Sequence, residues 1–210
     1  MNENFVITIG RQIGSGGHQI GEKIAKYFNI SFYDKELIQA VSQETGLAKE
    51  LFDKMDEKKS HSIFSNFLGL HNSVMMDQFY LCDNYLSNEA LFKIQSEVIR
   101  KLADQKSCVF VGRCADYVLK DYPRIVTIFI TADFEDRIKR IMERENLSTE
   151  KAKEYLKKME KKRADYYNYF SNKQWGVAAS YQLCINSSAL GVEKTVAYLI
   201  DFIKQKLQLD

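Results

Sequence analysis

Apolar and polar positions follow two periods along this chain. Short, nearly continuous apolar runs occur at residues 5–10 (FVITIG), 30–33 (ISFY), 107–112 (SCVFVG), 125–131 (IVTIFIT) and 181–185 (YQLCI). Each has the length and composition of a strand. Between them the apolar residues recur at helical spacing. After the first run, Ile20, Ile24, Ala25 and Phe28 fall at i, i+4, i+5 and i+8, with Glu22, Lys23 and Lys26 on other faces. Strands without polar alternation, separated by helices, are buried on both faces, which predicts an α/β fold with a five-stranded parallel sheet covered by helices. In such a sheet, ligands bind beyond the carboxyl ends of the strands. Residues 10–17, Asp34, Arg113 and Asn186 all fall just past strand ends.

Two stretches interrupt the alternation. From about residue 34 to 105 no central strand is evident. A short helix ending at Gly46 opens this stretch, and a helix over about 88–103, with Leu91, Phe92, Ile94, Val98, Ile99 and Leu102 in register, closes it. Its middle, with Phe64, Phe67, Leu68, Met75, Met76 and Phe79, is apolar for a surface excursion and predicts core packing or a homodimer face within 60–90. The second stretch, 133–172, is helical and densely charged. Asp133 and Ser148 supply N-cap signals, so two helices should meet near Asn146 and Leu147. Arg137, Arg140 and Arg144, at i, i+3 and i+7, share one side of the first helix. On spacing alone this row is either a solvated face, interleaved with Glu135, Asp136, Glu143 and Glu145, or a cationic face turned to a ligand.

Composition narrows the partners. The 210 residues are 45% hydrophobic, enough for one substantial domain with an insertion, and 30 basic against 28 acidic residues leave a formal charge of +2. Neither nucleic acid nor a membrane surface is called for, since no basic patch is interleaved with aromatics and no apolar run approaches the roughly 20 residues of a span. The start of the chain has no signal-peptide pattern, which predicts a cytoplasmic protein. The four cysteines, at 82, 108, 114 and 184, are scattered singly, so neither a disulfide framework nor a metal site is expected. The histidines, at 18, 61 and 71, form no hydrolase or metal pattern.

The chemistry concentrates in the turn after the first strand. Gly14, Gly16 and Gly17 permit positive φ and close approach, so successive backbone N–H groups can face one anion at a helix N-terminus. The phosphate-loop pattern G-x-x-x-x-G-K-[ST] is met only in part. With Gly16 as its second glycine, Arg11 stands where the first glycine belongs, Gly17 replaces the lysine and His18 replaces the hydroxyl residue. Arg11, on the other side of the loop, could restore the positive charge, because its guanidinium forks onto phosphate oxygens.

These pieces together resemble the P-loop nucleoside monophosphate kinases, most closely the cytidylate kinase-like family. The resemblance is carried by RQIGSGGHQIGEKIAKYF (11–28), FYDKELI (32–38), VFVGRCADYVL (109–119), the arginines of 137–144, KKRADYYNYF (161–170) and YQLCINSSALGVEKTVAYLI (181–200). It implies a P-loop core (1–34, 106–135 and 176–210), a helical acceptor-binding insertion (35–105) and a lid (136–175). It implies ATP and Mg²⁺ as cofactors and transfer of the γ-phosphate to CMP, dCMP or a related small acceptor. Arg11, Gly14, Ser15, Gly16, Gly17, His18, Gln19 and Asn186 would then bind nucleotide. Arg11, Asp34, Arg113, Arg140, Arg144 and Arg163 would serve the reaction, with Asp165 orienting a lid arginine. Cys114 stands where cytidylate kinases have an aspartate that contacts the pyrimidine, and Asp116 follows two residues later. A non-catalytic nucleotide-binding regulator, or a kinase for a different small molecule, is compatible with the same residues.

Overall fold

The computed structural model describes residues 4–35, 37, 38 and 88–209. The helix ending at Gly46, the apolar stretch 60–90 up to residue 87, His61, His71 and Cys82 lie outside them. The chain divides into two compact units, Met1–Lys35 with Leu102–Asp210, and Glu36–Lys101.

The first unit is a five-stranded sheet in the order β2-β3-β1-β4-β5, every pairing parallel. The strands are β1 Val6–Arg11, β2 Ser31–Tyr33, β3 Cys108–Val111, β4 Ile125–Thr131 and β5 Leu183–Asn186. All five predicted strands are present; β1, β2, β3 and β5 start one or two residues later than the apolar runs suggest. Helix α1 spans Gly17–Phe28 and α2 Asn88–Gln105. A single turn, α3, covers Ala115–Val118, followed by α4 Phe134–Glu145, α5 Thr149–Ser171 and α6 Ser187–Leu207.

On one face of the sheet Ile7, Ile9, Val109, Val111, Val126, Ile128 and Ile130 pack with Ile20 and Ile24 of α1 and with Val196, Leu199 and Ile203 of α6; on the other, Val6, Thr8, Cys108, Phe110 and Phe129 are buried as well. Gly21 lets α1 lie close to the sheet: a β-carbon there would come within 2.9 Å of Val111.

Helices α4 and α5 meet where their caps indicate. Asn146 ends α4 in the left-handed conformation, and Ser148 caps α5 by accepting from the Lys151 N–H at 3.4 Å. Asp133 sits at the N-cap of α4 but does not cap it with its side chain. Its carboxylate accepts instead from the Asn186 amide at 2.8 Å, tying the end of β4 to the end of β5.

Candidate active site

The glycine-rich turn joins β1 to α1 at the carboxyl edge of the sheet. Gly14 and Gly16 both have φ +75°, and Gly16 caps α1 without a side-chain hydrogen bond. Gly14 is required twice over, since a β-carbon there would also meet the Arg137 backbone oxygen at 2.9 Å. Ser15 is fully buried, and its hydroxyl accepts from the Gly17 N–H at 3.3 Å. The N–H groups of His18 and Gln19, in the first turn of α1, have no preceding helical carbonyl to bond, and that turn carries no acidic residue. Such an N-terminus favours an anion.

The loop's carbonyls are held from outside. Arg137 Nε donates to the Ile13 carbonyl at 2.7 Å, Arg140 to that of Gly14 at 2.9 Å and Arg163 to that of Arg11 at 2.9 Å. The Ser187 hydroxyl, at the start of α6, donates to the Ser15 carbonyl at 2.7 Å. With four carbonyls engaged on the outer side, the loop is fixed in its turn before any ligand arrives. Arg137 also pairs with Glu160 at 2.9 Å, and the same carboxylate accepts from the Ile13 N–H. Burial drives both partners toward neutrality, lowering the Arg137 pKa and raising that of Glu160, while each opposes the other's shift. An apolar contact backs this polar one: Ile13 packs with Ile138, Ile141, Ala152 and Leu156 of α4 and α5.

The sequence-predicted residues separate into groups. Arg140 and Arg163 reach the loop. Arg144 does not share that contact; it lies exposed at the end of α4, 2.8 Å from Glu145. Asp165 is exposed, and the carboxylate paired with an arginine of α4, Arg137, is Glu160. His18 and Asp34 come together, with imidazole Nε2 2.9 Å from Asp34 Oδ2 and Nδ1 3.6 Å from Glu22. Gln19 is exposed on the first turn of α1. Asn186 caps α6, accepting from the Ser188 N–H at 2.9 Å while it donates to Asp133. Arg113 follows β3 in a left-handed turn, its guanidinium 5.3 Å from the Tyr166 ring centre.

Cys114 and Asp116 are both buried. Burial, reinforced by Asp116, pushes the Cys114 thiol up to about 12, so it is a neutral group there. Asp116 accepts from the Tyr167 hydroxyl at 2.7 Å and so ties the turn after β3 to α5. Among the lid aromatics, Tyr167 is buried and Trp175 packs edge-on against Phe129, whereas Tyr169 is 66% exposed.

Sequence reasoning missed Glu160, Ser187, Ile13 and Gly112. For Glu160 a signal existed: it stands three residues before Arg163, on the same side of α5. Among the described residues no group of three His, Cys, Asp or Glu side chains could hold a metal ion, and no described helix is long and apolar enough to cross a membrane.

The model of the Cytidylate kinase-like family matches residues 6–189. No curated protein matches the chain. Among solved structures, an uncharacterized protein from Eubacterium ventriosum ATCC 27560 is 28% identical with a TM-score of 0.72, covering 96% of this chain and 99% of that one. Shikimate kinase from Bacteroides thetaiotaomicron is 14% identical with a TM-score of 0.52, covering 95% and 98%. Shikimate kinase from Acinetobacter baumannii, in complex with shikimate, is 12% identical with a TM-score of 0.51, covering 97% and 94%. The last two are likenesses of fold.

Proposed function

Because the chain belongs to the cytidylate kinase-like family, we propose that it is an ATP-dependent phosphotransferase that moves the γ-phosphate to a small phosphorylated acceptor, CMP or dCMP first. The observation that carries this reading is the preformed loop, whose outward carbonyls are bonded while the first-turn N–H groups of α1 remain for an anion. In this reading the core is 1–34, 106–135 and 176–210, the acceptor side is 35–105 and the lid is 136–175.

Phosphoryl transfer asks little covalent chemistry of a protein. A P–O bond to the β-phosphate breaks as a P–O bond to the acceptor phosphate forms, and positioned cations stabilise the charge spread over the moving group. Gly14, Ser15, Gly16 and Gly17 cradle the phosphates, with the N–H groups of His18 and Gln19 at the helix start. Arg140 and Arg163 each donate to a loop carbonyl, which places both guanidinium groups beside the cradle. Asp34 and Arg113 mark the acceptor side at the ends of β2 and β3. Asp34, at the end of β2, would hold the water shell of a nucleotide-bound Mg²⁺, which would supply charge neutralisation.

The test is ADP formation from Mg·ATP against CMP, dCMP, UMP, AMP, GMP and no acceptor. ADP that depends on CMP or dCMP supports the proposal. Silence across the panel while ATP still binds would replace it by the regulatory reading, which the substitution of Gly17 for lysine favours. ADP only with an acceptor outside the panel would make it a kinase for a different small molecule.

A further inference from the structure

We propose that Arg11 carries the phosphate contact that the loop lysine makes elsewhere, and that Gly17 is a glycine because the Arg11 stem passes over it. A β-carbon built on Gly17 would lie 2.6 Å from Arg11 Cβ and 2.9 Å from its Cγ. Non-bonded carbons settle at about 3.5–4.0 Å, and a Cβ fixed to strand backbone cannot swing aside. Positions 11 and 17 therefore exclude one another: only one of them can bear a side chain. The pattern G-x-x-x-x-G-K-[ST] has glycine at the first and lysine at the second. This chain makes the opposite choice with the same two positions, arginine at 11 and glycine at 17. The cation has been relocated rather than lost.

The far end of the side chain shows where it has gone. Gly112 has φ +84°, which by itself calls for glycine, and a β-carbon there would meet Arg11 Nη1, with Cζ at 3.1 Å. The guanidinium thus lies against Gly112, just past the end of β3, the strand hydrogen-bonded to β1. Its stem crosses the first turn of α1, and its head sits at the carboxyl edge of the sheet, next in sequence to Arg113. Arg11, Arg137 and Arg163 all lie near enough to Glu160 to favour its charged form. A guanidinium adds what an ammonium lacks, a planar fork that meets two phosphate oxygens at once.

This inference rests on the reading that the loop takes a polyphosphate, and it is tested by binding rather than turnover. Titration calorimetry with Mg·ATP and with AMP is run on the wild type, Arg11→Gly, Gly17→Lys and the exchange Arg11→Gly/Gly17→Lys, with a melting curve for each. The wild type should prefer ATP to AMP. Arg11→Gly should lose roughly 10- to 100-fold in ATP affinity, the effect of removing a hydrogen bond to a charged group, with AMP affinity unchanged. Gly17→Lys alone should melt lower, because its Cβ collides with the Arg11 stem. The exchange should fold with a wild-type melting temperature and recover at least tenfold of the ATP affinity. If Arg11→Gly does not fold, the exchange decides by itself. A wild type without ATP preference, Arg11→Gly that keeps it, Gly17→Lys that melts like the wild type, or an exchange that unfolds or recovers nothing would each overturn the inference. An ATP preference abolished by Arg11→Gly, with no ADP formed on any acceptor, would overturn phosphotransfer and leave the assignment of Arg11 standing.

Discussion

Asp116 shows how one buried side chain sets a measurable property of the whole chain. It is 8% exposed, and burial raises its pKa above the ordinary value of 3.8 despite the Tyr167 hydroxyl, the Lys173 charge and nearby backbone N–H groups, which oppose the shift. The folded chain therefore keeps this proton to a higher pH than the unfolded chain does. Between the two values unfolding releases a proton, so stability falls as pH rises through that window and levels off above the folded pKa. Asp116→Asn still accepts from Tyr167 but has no proton to lose. Urea midpoints measured from pH 4 upward should show the wild type losing stability relative to Asp116→Asn; a constant difference would refute the raised pKa. At this scale the sequence was legible where the constraint is local. Glycines at positive φ announce the turn at 14 and 16. Ser187 matters through Ser15, a residue far along the chain, which no local pattern reveals.

The α4–α5 hairpin has more apolar footing than its sequence suggests. Charged residues dominate 133–172, and an expectation of a loosely anchored lid follows from counting them. In the structure Ile138, Ile141, Ala152 and Leu156 are buried against Ile13, so the hairpin and the phosphate loop share one small core. The contact was hidden because the loop's contribution is a single isoleucine between polar residues. Leu156 is fully buried there. Leu156→Ala should cost about 3 kcal/mol, the usual loss for a buried leucine truncated in a packed site, measured as a lower urea midpoint. A loss below about 0.5 kcal/mol, the level of an exposed position, would mean that the cluster does not bear on stability. The strands were the most legible elements, because residues buried on both faces of a parallel sheet must be apolar throughout. Their ends were less so: the run 181–185 includes Tyr181 and Gln182, which precede β5 and pack or bond toward Phe129 and Thr127.

At the scale of the molecule, the parallel sheet gathers Arg11, Asp34, Gly112, Arg113 and Asn186 at one edge, and helices α4, α5 and α6 fix the loop there before ligand binds. Pre-organisation has a thermodynamic consequence. A ligand that meets a formed loop need not order it, so its binding energy is expressed as added stability of the folded unit. At 100 times its dissociation constant a ligand specific to the folded state adds about 2.7 kcal/mol. For a domain of this size each kcal/mol raises the melting temperature by about 2–4 °C, so the rise should be about 5–10 °C. Because the chain has two compact units, the melt must be read from one of them. Its single tryptophan, Trp175, lies in the sheet unit, edge-on to Phe129 of β4, so its fluorescence reports that unit alone. Mg·ATP should shift the Trp175 melt upward by this amount, and AMP at equal concentration should shift it less, since only ATP carries the β- and γ-phosphates that the proposed cradle would hold. Equal shifts with the two ligands would place the recognition on the base and sugar instead, and an unmoved melt at millimolar Mg·ATP would mean that this loop does not bind a nucleoside triphosphate.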